Sequence, residues 1–445
     1  MSEKKGFWRV LGFRYGDDKD GLLPDEAPSF GRLVLFALQQ FIVMFPATIL
    51  VALLTGFHVS TTIFASGLAT LSFILVTGGK IPLYYGSSFS YIAAIVSLTG
   101  AREFGALAPD SLIGQAQFGI ILSGLVSILA GFLIDRFGHD KMDRILPAEV
   151  TGPIAIVIGL SLAGTAMQGA AQNWALALVT LVVTVAASVF LKGFLGQLPV
   201  LIGIAAGYLA ALAFGLIDFA PVAAAATIQT PHFTLPIPSW AAVAAIMPIA
   251  IATIPESTAH LYQIDLYVNK LAERRGEKKY AISNKLGRNL IGDGVGDIVS
   301  SLFGGPAGTN YGENISTMAV TRVFSVPVLI ATAILAILVS FLGQFSAAIS
   351  TVPGAVIGGL SIYLFGVIAV QGVGIMVERK VDLFDNRGLA VIATILIIGL
   401  GGSFAFPGGM IPVFGAKLPA IATAAIWGIA LNLILRATKP KTSRD

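Results

Sequence analysis

Residues 78–86 read GGKIPLYYG and residues 304–312 read GGPAGTNYG. Both are Gly-Gly, five residues, then Tyr-Gly, and both lie within apolar stretches of the chain. Glycine and proline make poor helix, whereas Tyr and Thr suit extended backbone. The pattern predicts short strands over 82–88 and 306–312, each followed by a half-helix and meeting near mid-membrane. Non-helical backbone survives at that depth only when buried in protein or lining a cavity. A second match points to a duplicated chain: PAEVTG at 147–152 and PGAVIG at 353–358 share P-x-x-V-x-G. The two pairs are offset by 226 and 206 residues.

Working outward, the 445 residues are 56% hydrophobic and 12% charged. That is half the charge of a soluble domain, which carries about 25%. Apolar runs of about 20 residues, the length that crosses a bilayer core, recur along the chain. Fourteen spans are read, at 33–55, 62–77, 83–99, 114–134, 147–166, 174–192, 198–217, 240–268, 289–304, 307–321, 323–343, 352–375, 388–402 and 417–437. Seven spans per half is an odd number, so the second half enters the membrane from the opposite side. The expected fold is an all-α polytopic membrane protein, a 7+7 inverted repeat with the two strands in interrupted spans 3 and 10. Transporters of this kind bind substrate at the midplane, where broken helices expose backbone groups. The stretch 218–239, rich in Ala and Pro, is the seam between halves and an extracytoplasmic connector.

The basic residues orient this map, because cytoplasmic loops are rich in Lys and Arg. Of 28 Lys and Arg, only Arg102 and Lys417 fall in the odd-numbered loops. The rest include Lys4, Lys5 and Arg9 near the start, Lys141, the run from Lys270 to Arg288, and Lys439, Lys441 and Arg444 at the end. Both termini are therefore expected in the cytoplasm, with the chain multi-pass in the inner or plasma membrane. Residues 1–32 mix both charges and read as a solvated cytoplasmic tail. The first apolar run, after Arg32, has the length of a spanning helix and lacks the cleavage site of a signal peptide.

The chain has no cysteine, so disulfides, thiolate metal sites and cysteine nucleophiles are excluded. It carries no HExxH, no GxSxG and no Asp-rich magnesium motif. The four histidines, His58, His139, His232 and His260, are scattered along the chain. Neither catalytic residues nor a metal site nor a cofactor is expected, and an enzyme is the weaker reading. The charges follow the membrane rule, so nucleic acid is not an expected partner.

Ionisable residues inside spans are costly and rare, so each is a functional candidate. Glu256 lies 17 residues into the eighth span. Glu313 directly follows the second strand and starts its half-helix, where free N–H groups and a positive dipole are offered. His260 shares a helix face with Glu256, four residues on, and the pair could hold and pass a proton. The bland alternative is a mutual hydrogen bond. Phe89 closes Gly86-Ser87-Ser88-Phe89 and could stack on a planar ring, with ordinary packing as the alternative. Asp293, Asp297 and Glu149 are weaker candidates; the two aspartates are flanked by glycines and could cap or bridge helices.

These residues resemble the nucleobase–ascorbate transporter family, in particular its uracil permease branch, from about Arg32 to Arg436. The signature is carried by Tyr311-Gly312-Glu313-Asn314-Ile315 through Thr321-Arg322. Glu256-Ser257-Thr258-Ala259-His260 and Gly86-Ser87-Ser88-Phe89 are the other elements. Three departures stand out: Ser316 replaces the signature glycine, Gln39-Gln40 stands where Gln-His is usual, and Pro255 precedes Glu256. The resemblance implies a core domain of spans 1–4 (33–134) and 8–11 (240–343). It implies a gate domain of spans 5–7 (135–217) and 12–14 (344–437), with a cytoplasmic tail at 438–445. Substrate is expected between the two, held through Glu256, Glu313, Phe89, Tyr311 and the backbone near Gly312. Proton symport is implied, with the proton as coupling ion through Glu256 and His260. The expected partners are uracil or a related nucleobase and the lipid bilayer, and a homodimer is compatible with the sequence. Xanthine or urate transport on the same fold is the main alternative.

Overall fold

The computed structural model describes residues 12–100, 105–138, 144–413 and 416–437. Lys4, Lys5, Arg9, Arg102, His139, Lys141, Lys439, Lys441, Arg444 and the expected tail at 438–445 lie outside the described residues. Among the described residues, eight helices are long and apolar enough to cross a membrane. They are Phe30–Thr55, Val59–Val76, Asp110–Phe137, Ala148–Ala171, Trp240–Arg274, Gly354–Glu378, Asn386–Ala405 and Ala420–Ala437. Shorter apolar helices lie at Phe89–Thr99, Trp174–Phe190, Pro199–Ala213 and Val326–Ser340. Helices Leu286–Leu302 and Gly312–Thr321 complete the set around the site.

The two Gly-Gly segments form strands Tyr85–Ser87 and Gly308–Asn310, shorter than the sequence pattern suggests. They pair antiparallel, with Tyr85 opposite Asn310, Gly86 opposite Thr309 and Ser87 opposite Gly308. Every residue of both strands is buried. Pairing satisfies backbone groups that no water reaches, which is what the bilayer demands. The remaining valences go to side chains. Thr70 Oγ1 donates to Tyr85 O at 2.8 Å and accepts from Tyr85 N at 3.1 Å. Gly308 N donates to Asp297 Oδ1 at 2.8 Å.

Helices pack through small residues. A Cβ on Gly124 would lie 2.5 Å from Gly294 O, and one on Gly131 would lie 2.5 Å from Gly287 O, so these two helices run antiparallel in near backbone contact. The repeated P-x-x-V-x-G segments behave alike. Pro147 and Pro353 each stand at a helix N-cap, and the helices they start pack together antiparallel. Gly152 faces Gly372 and Gly159 faces Phe365, in each case with no room for a side chain. Close approach of backbones is how helices associate where lipid offers no hydrophobic drive.

Three expectations need correction. Residues 21–28 are not part of a solvated tail. Leu22 and Leu23 are fully buried, and Glu26 is 2% exposed. Leu22 N donates to Arg322 O, and Phe324 N donates to Leu22 O. Arg275 grips Glu26 through two bonds of 2.8 Å, one to each carboxylate oxygen. Charge-rich composition concealed a short apolar core, Leu22-Leu23, that docks on the chain just after the Gly312–Thr321 helix. The first long helix also starts at Phe30, ahead of the expected 33. Likewise the eighth span does not stop at 268: its helix continues to Arg274, because polar residues in water extend a helix that hydropathy alone ends early.

Candidate functional site

Each strand directs the half-helix after it toward a common point. After Ser87 the chain turns through a 3₁₀ segment, Phe89–Tyr91, into Ile92–Thr99. After Asn310 it enters Gly312–Thr321 with Tyr311 as N-cap, and no side chain caps that end. The first N–H groups of this helix therefore have no intrahelical acceptor. The first segment contributes Phe89 and Ser90; the second contributes Gly312 and Glu313. Both pack against the Ile249–Arg274 helix, which contributes Glu256 and His260.

Glu256 is half-buried, and Ser90 Oγ donates to its Oε2 at 3.1 Å. Glu313 is half-buried in the first turn of its helix, which packs against the helix that carries Glu256. Phe89 is half-buried and meets Phe365 edge-on, ring centroids 6.5 Å apart. Gly312 lets His260 approach: a Cβ there would lie 3.0 Å from His260 Nε2. His260 Nδ1 is buried and has no hydrogen-bond partner among the described residues. The partner of Glu256 is thus Ser90, which the sequence reading did not single out. Ser90 is separated from Glu256 by 166 residues and carries no signal of its own.

Tyr311 has a different surrounding from the others. It is 3% exposed, and its hydroxyl bonds to Thr48 Oγ1 at 3.0 Å and Ser87 O at 3.1 Å. Its ring lies on Gly86, where a Cβ would come within 2.3 Å. The tyrosine clamps the strand pair, and its hydroxyl is committed to that role. Gln40, the departure from Gln-His, is 1% exposed and accepts from Asn314 Nδ2 at 2.7 Å. A glutamine at this position thereby anchors the helix that carries Glu313.

The weaker candidates support the strands. Asp297 accepts from Tyr85 Oη at 2.7 Å and from Gly308 N, one contact to each strand. Asp293 accepts from Ser257 and, at 3.0 Å, from Asn310 Nδ2. Asn289 Nδ2 donates to Ser257 Oγ at 2.6 Å. This buried polar network fixes the register of the crossing beside Glu256. Glu149 stands in the first turn of Ala148–Ser161, away from this network, with Gly388 beside it. Of the four histidines read as scattered, two meet: the ring centroids of His58 and His232 lie 4.2 Å apart.

Apolar helices around two broken segments, with Glu313 at one break and Glu256 on the helix packed against both, are the arrangement of a membrane permease. A family model described as "Permease family" matches residues 31–408. The chain is 39% identical over 427 residues to the uracil permease of Bacillus caldolyticus, covering 92% of this chain and 93% of that one. It is also 39% identical to the uracil permease of Bacillus subtilis (strain 168), covering 93% and 95%. The Escherichia coli (strain K12) uracil permease is 34% identical over 92% of this chain and 93% of its own. This protein belongs to the nucleobase–ascorbate transporter family. Its fold is similar to the transmembrane domain of the cyanobacterial bicarbonate transporter BicA, with a TM-score of 0.52 and 14% identity over 90% of this chain and 96% of that one. It is also similar to SLC26A9, with a TM-score of 0.63 and 10% identity over 99% and 71%.

Proposed function

We propose that this chain imports uracil with a proton, by an elevator-like alternating-access movement of a core domain against a gate domain. The observation that carries this reading is the packing of both segments that follow the paired strands against the helix bearing Glu256, with Ser90 bonded to Glu256, and with Phe89 and Glu313, at an uncapped helix N-terminus, on those segments. Uracil is a flat ring with two N–H donors and two carbonyl acceptors. Two carboxylates accept the first pair, free backbone N–H groups near Gly312 bind a carbonyl, and Phe89 stacks on the ring. A site built on such hydrogen bonds rejects analogues that lack them by large factors. Two neighbouring carboxylates also repel inorganic anions, although the fold is shared with bicarbonate transport. The relatives named as uracil permeases support the same substrate.

In this reading the shorter helices are spans too, giving fourteen in a 7+7 inverted repeat. The core is 33–134 with 240–343, and its two halves are joined by the strand pair. The gate is 135–217 with 344–437, joined by the antiparallel helices after Pro147 and Pro353. Both termini are cytoplasmic. Glu256 carries the proton, taking it up in one facing state and releasing it in the other, and His260 relays it or holds Glu256 in place. The test is uptake of labelled uracil into proteoliposomes with and without an imposed pH gradient, competed by unlabelled xanthine and urate. Gradient-driven accumulation blocked by uracil alone is expected. Uptake indifferent to the gradient removes the proton, and stronger competition by xanthine removes the substrate.

A further inference from the structure

We propose that the membrane face bearing the 218–239 connector carries a binding site for a divalent transition-metal ion of the zinc class, formed by His58, Asp110 and His232. The three come from separate segments. His58 is the N-cap of the Val59–Val76 helix, Asp110 is the first residue of Asp110–Phe137, and His232 lies in the connector. One ligand atom from each lies within 4.8 Å of the others. Both imidazoles turn Nε2 toward the same carboxylate, His58 at 3.4 Å from Oδ1 and His232 at 2.8 Å from Oδ2.

Three features make this a site and not a chance meeting of surface residues. First, the donor set is chemically coherent: two imidazole nitrogens and one carboxylate oxygen, which suits zinc with one position left for water. Ligands about 2.1 Å from a tetrahedral ion stand about 3.4 Å from one another, so small side-chain rotations close the observed set. Second, the connector is fastened at His232 and just beyond it. Thr61 Oγ1 donates to His232 O at 2.6 Å, Gln117 Nε2 donates to Thr234 O at 3.0 Å, and Ile237 N donates to Gly114 O at 2.8 Å. The backbone that presents the second imidazole is therefore held before any ion arrives. Third, a cavity of about 190 Å³ opens beside both histidines, giving an ion and its water a path in. Asp110 and His232 remain 56% and 53% exposed, so no core-packing role accounts for their meeting. Bound there, the ion ties the connector to two helices of the proposed core. The zinc class is favoured over calcium or magnesium, because imidazole selects borderline transition metals and those hard ions prefer oxygen.

The test uses the full-length chain in detergent, with any polyhistidine tag removed because it binds the same ions. Zn²⁺ is titrated by calorimetry and Co²⁺ by visible absorption, on wild type and on His58→Ala, Asp110→Asn and His232→Ala. One Zn²⁺ per chain is expected, with Co²⁺ showing the bands of a four-coordinate N/O site. Each substitution should weaken binding by more than the about 10–100-fold lost with a mere supporting partner. Zn²⁺ should also raise the Tm of wild type but not of the variants. Uracil binding or a monodisperse elution profile shows that a variant is folded. Absence of stoichiometric binding to wild type overturns the proposal. So does binding that survives in a His58→Ala/His232→Ala double variant, and so does a Ca²⁺ titration matching that of Zn²⁺. The first of these outcomes would leave a plain His–Asp–His hydrogen-bonded latch.

Discussion

Replacing Gly86 by Ala tests whether the strand pair, and not the carboxylates alone, builds the site. The added methyl would lie 2.3 Å from the Tyr311 ring, well inside van der Waals contact. The ring cannot swing away freely, because its hydroxyl is bonded to Thr48 and to Ser87 O. Overpacking a tight interior costs about 1–3 kcal/mol. Losing two buried hydrogen bonds adds about 0.5–1.5 kcal/mol each. The sum is about 2–6 kcal/mol, falling on the crossing that presents Ser90 and Glu313. Even its lower end corresponds to more than tenfold in an equilibrium constant. The matched control is Gly366→Ala, where the new Cβ would meet nothing within 4 Å. That change sits inside a helix and should be neutral or stabilising by about 0.5–1 kcal/mol. Thermal unfolding in detergent and uracil calorimetry on both variants give the comparison. Gly86→Ala should lower Tm and weaken uracil at least tenfold. If it matched Gly366→Ala in both, the strand crossing would not be what holds the site.

The same geometry sets further outcomes. Glu313→Ala should abolish measurable uracil binding, since it leaves a substrate N–H unpaired at about 1–3 kcal/mol or more, whereas Phe89→Ala should cost roughly the 0.5–1.5 kcal/mol of a stacking contact plus lost burial; calorimetry ranks the two. Glu256→Gln should retain some binding but lose pH-gradient-driven accumulation, and full accumulation by this variant would move the proton to another group. Arg275→Met strips the bidentate partner from buried Glu26 and should destabilise the protein by about 3–5 kcal/mol, read as a fall in Tm. Arg14, 3.5 Å from Glu26, offsets part of that loss. Cysteines at Lys278 and Ala224 should label from opposite sides of the membrane, and labelling from one side would defeat the inverted repeat.

What was legible in the sequence was whatever is rare in apolar surroundings. Glu256 and Glu313 stood out because a carboxylate in a span is expensive, and the two Gly-Gly segments stood out because their glycines and prolines break a helical pattern. Ser90 and the Ser257–Asn289–Asn310 network did not, and Gln40 was noted as a departure from the family pattern without its partner Asn314. Uncharged polar residues are common in spans, and their partners here lie 166 and 274 residues away for Ser90 and Gln40. The docked segment around Leu22-Leu23 was hidden by the charges that flank it. His58 and His232 read only as scattered histidines and Asp110 carried no signal, and only the packing of the connector brings the three together. Tyr311 was read as part of the signature, but its part in clamping Gly86 depends on a contact that no spacing encodes.

The pairing of Tyr85–Ser87 with Gly308–Asn310 also sets terms for biogenesis. The chain is made from its N-terminus at about 5–20 residues per second, so more than 200 intervening residues take about 10–45 s to appear. Throughout that interval the first strand has entered, or is waiting to enter, the bilayer without the neighbour that satisfies its backbone. Lipid cannot supply those hydrogen bonds. The segments that hold Tyr85–Ser87 and Gly308–Asn310 therefore cannot settle independently as ordinary helices do at insertion. The nascent first half must be sheltered by the insertion machinery or by water until the second half arrives. A ribosome stalled between the halves leaves a product with an unsatisfied strand, and membrane quality control has a ready feature by which to recognise it.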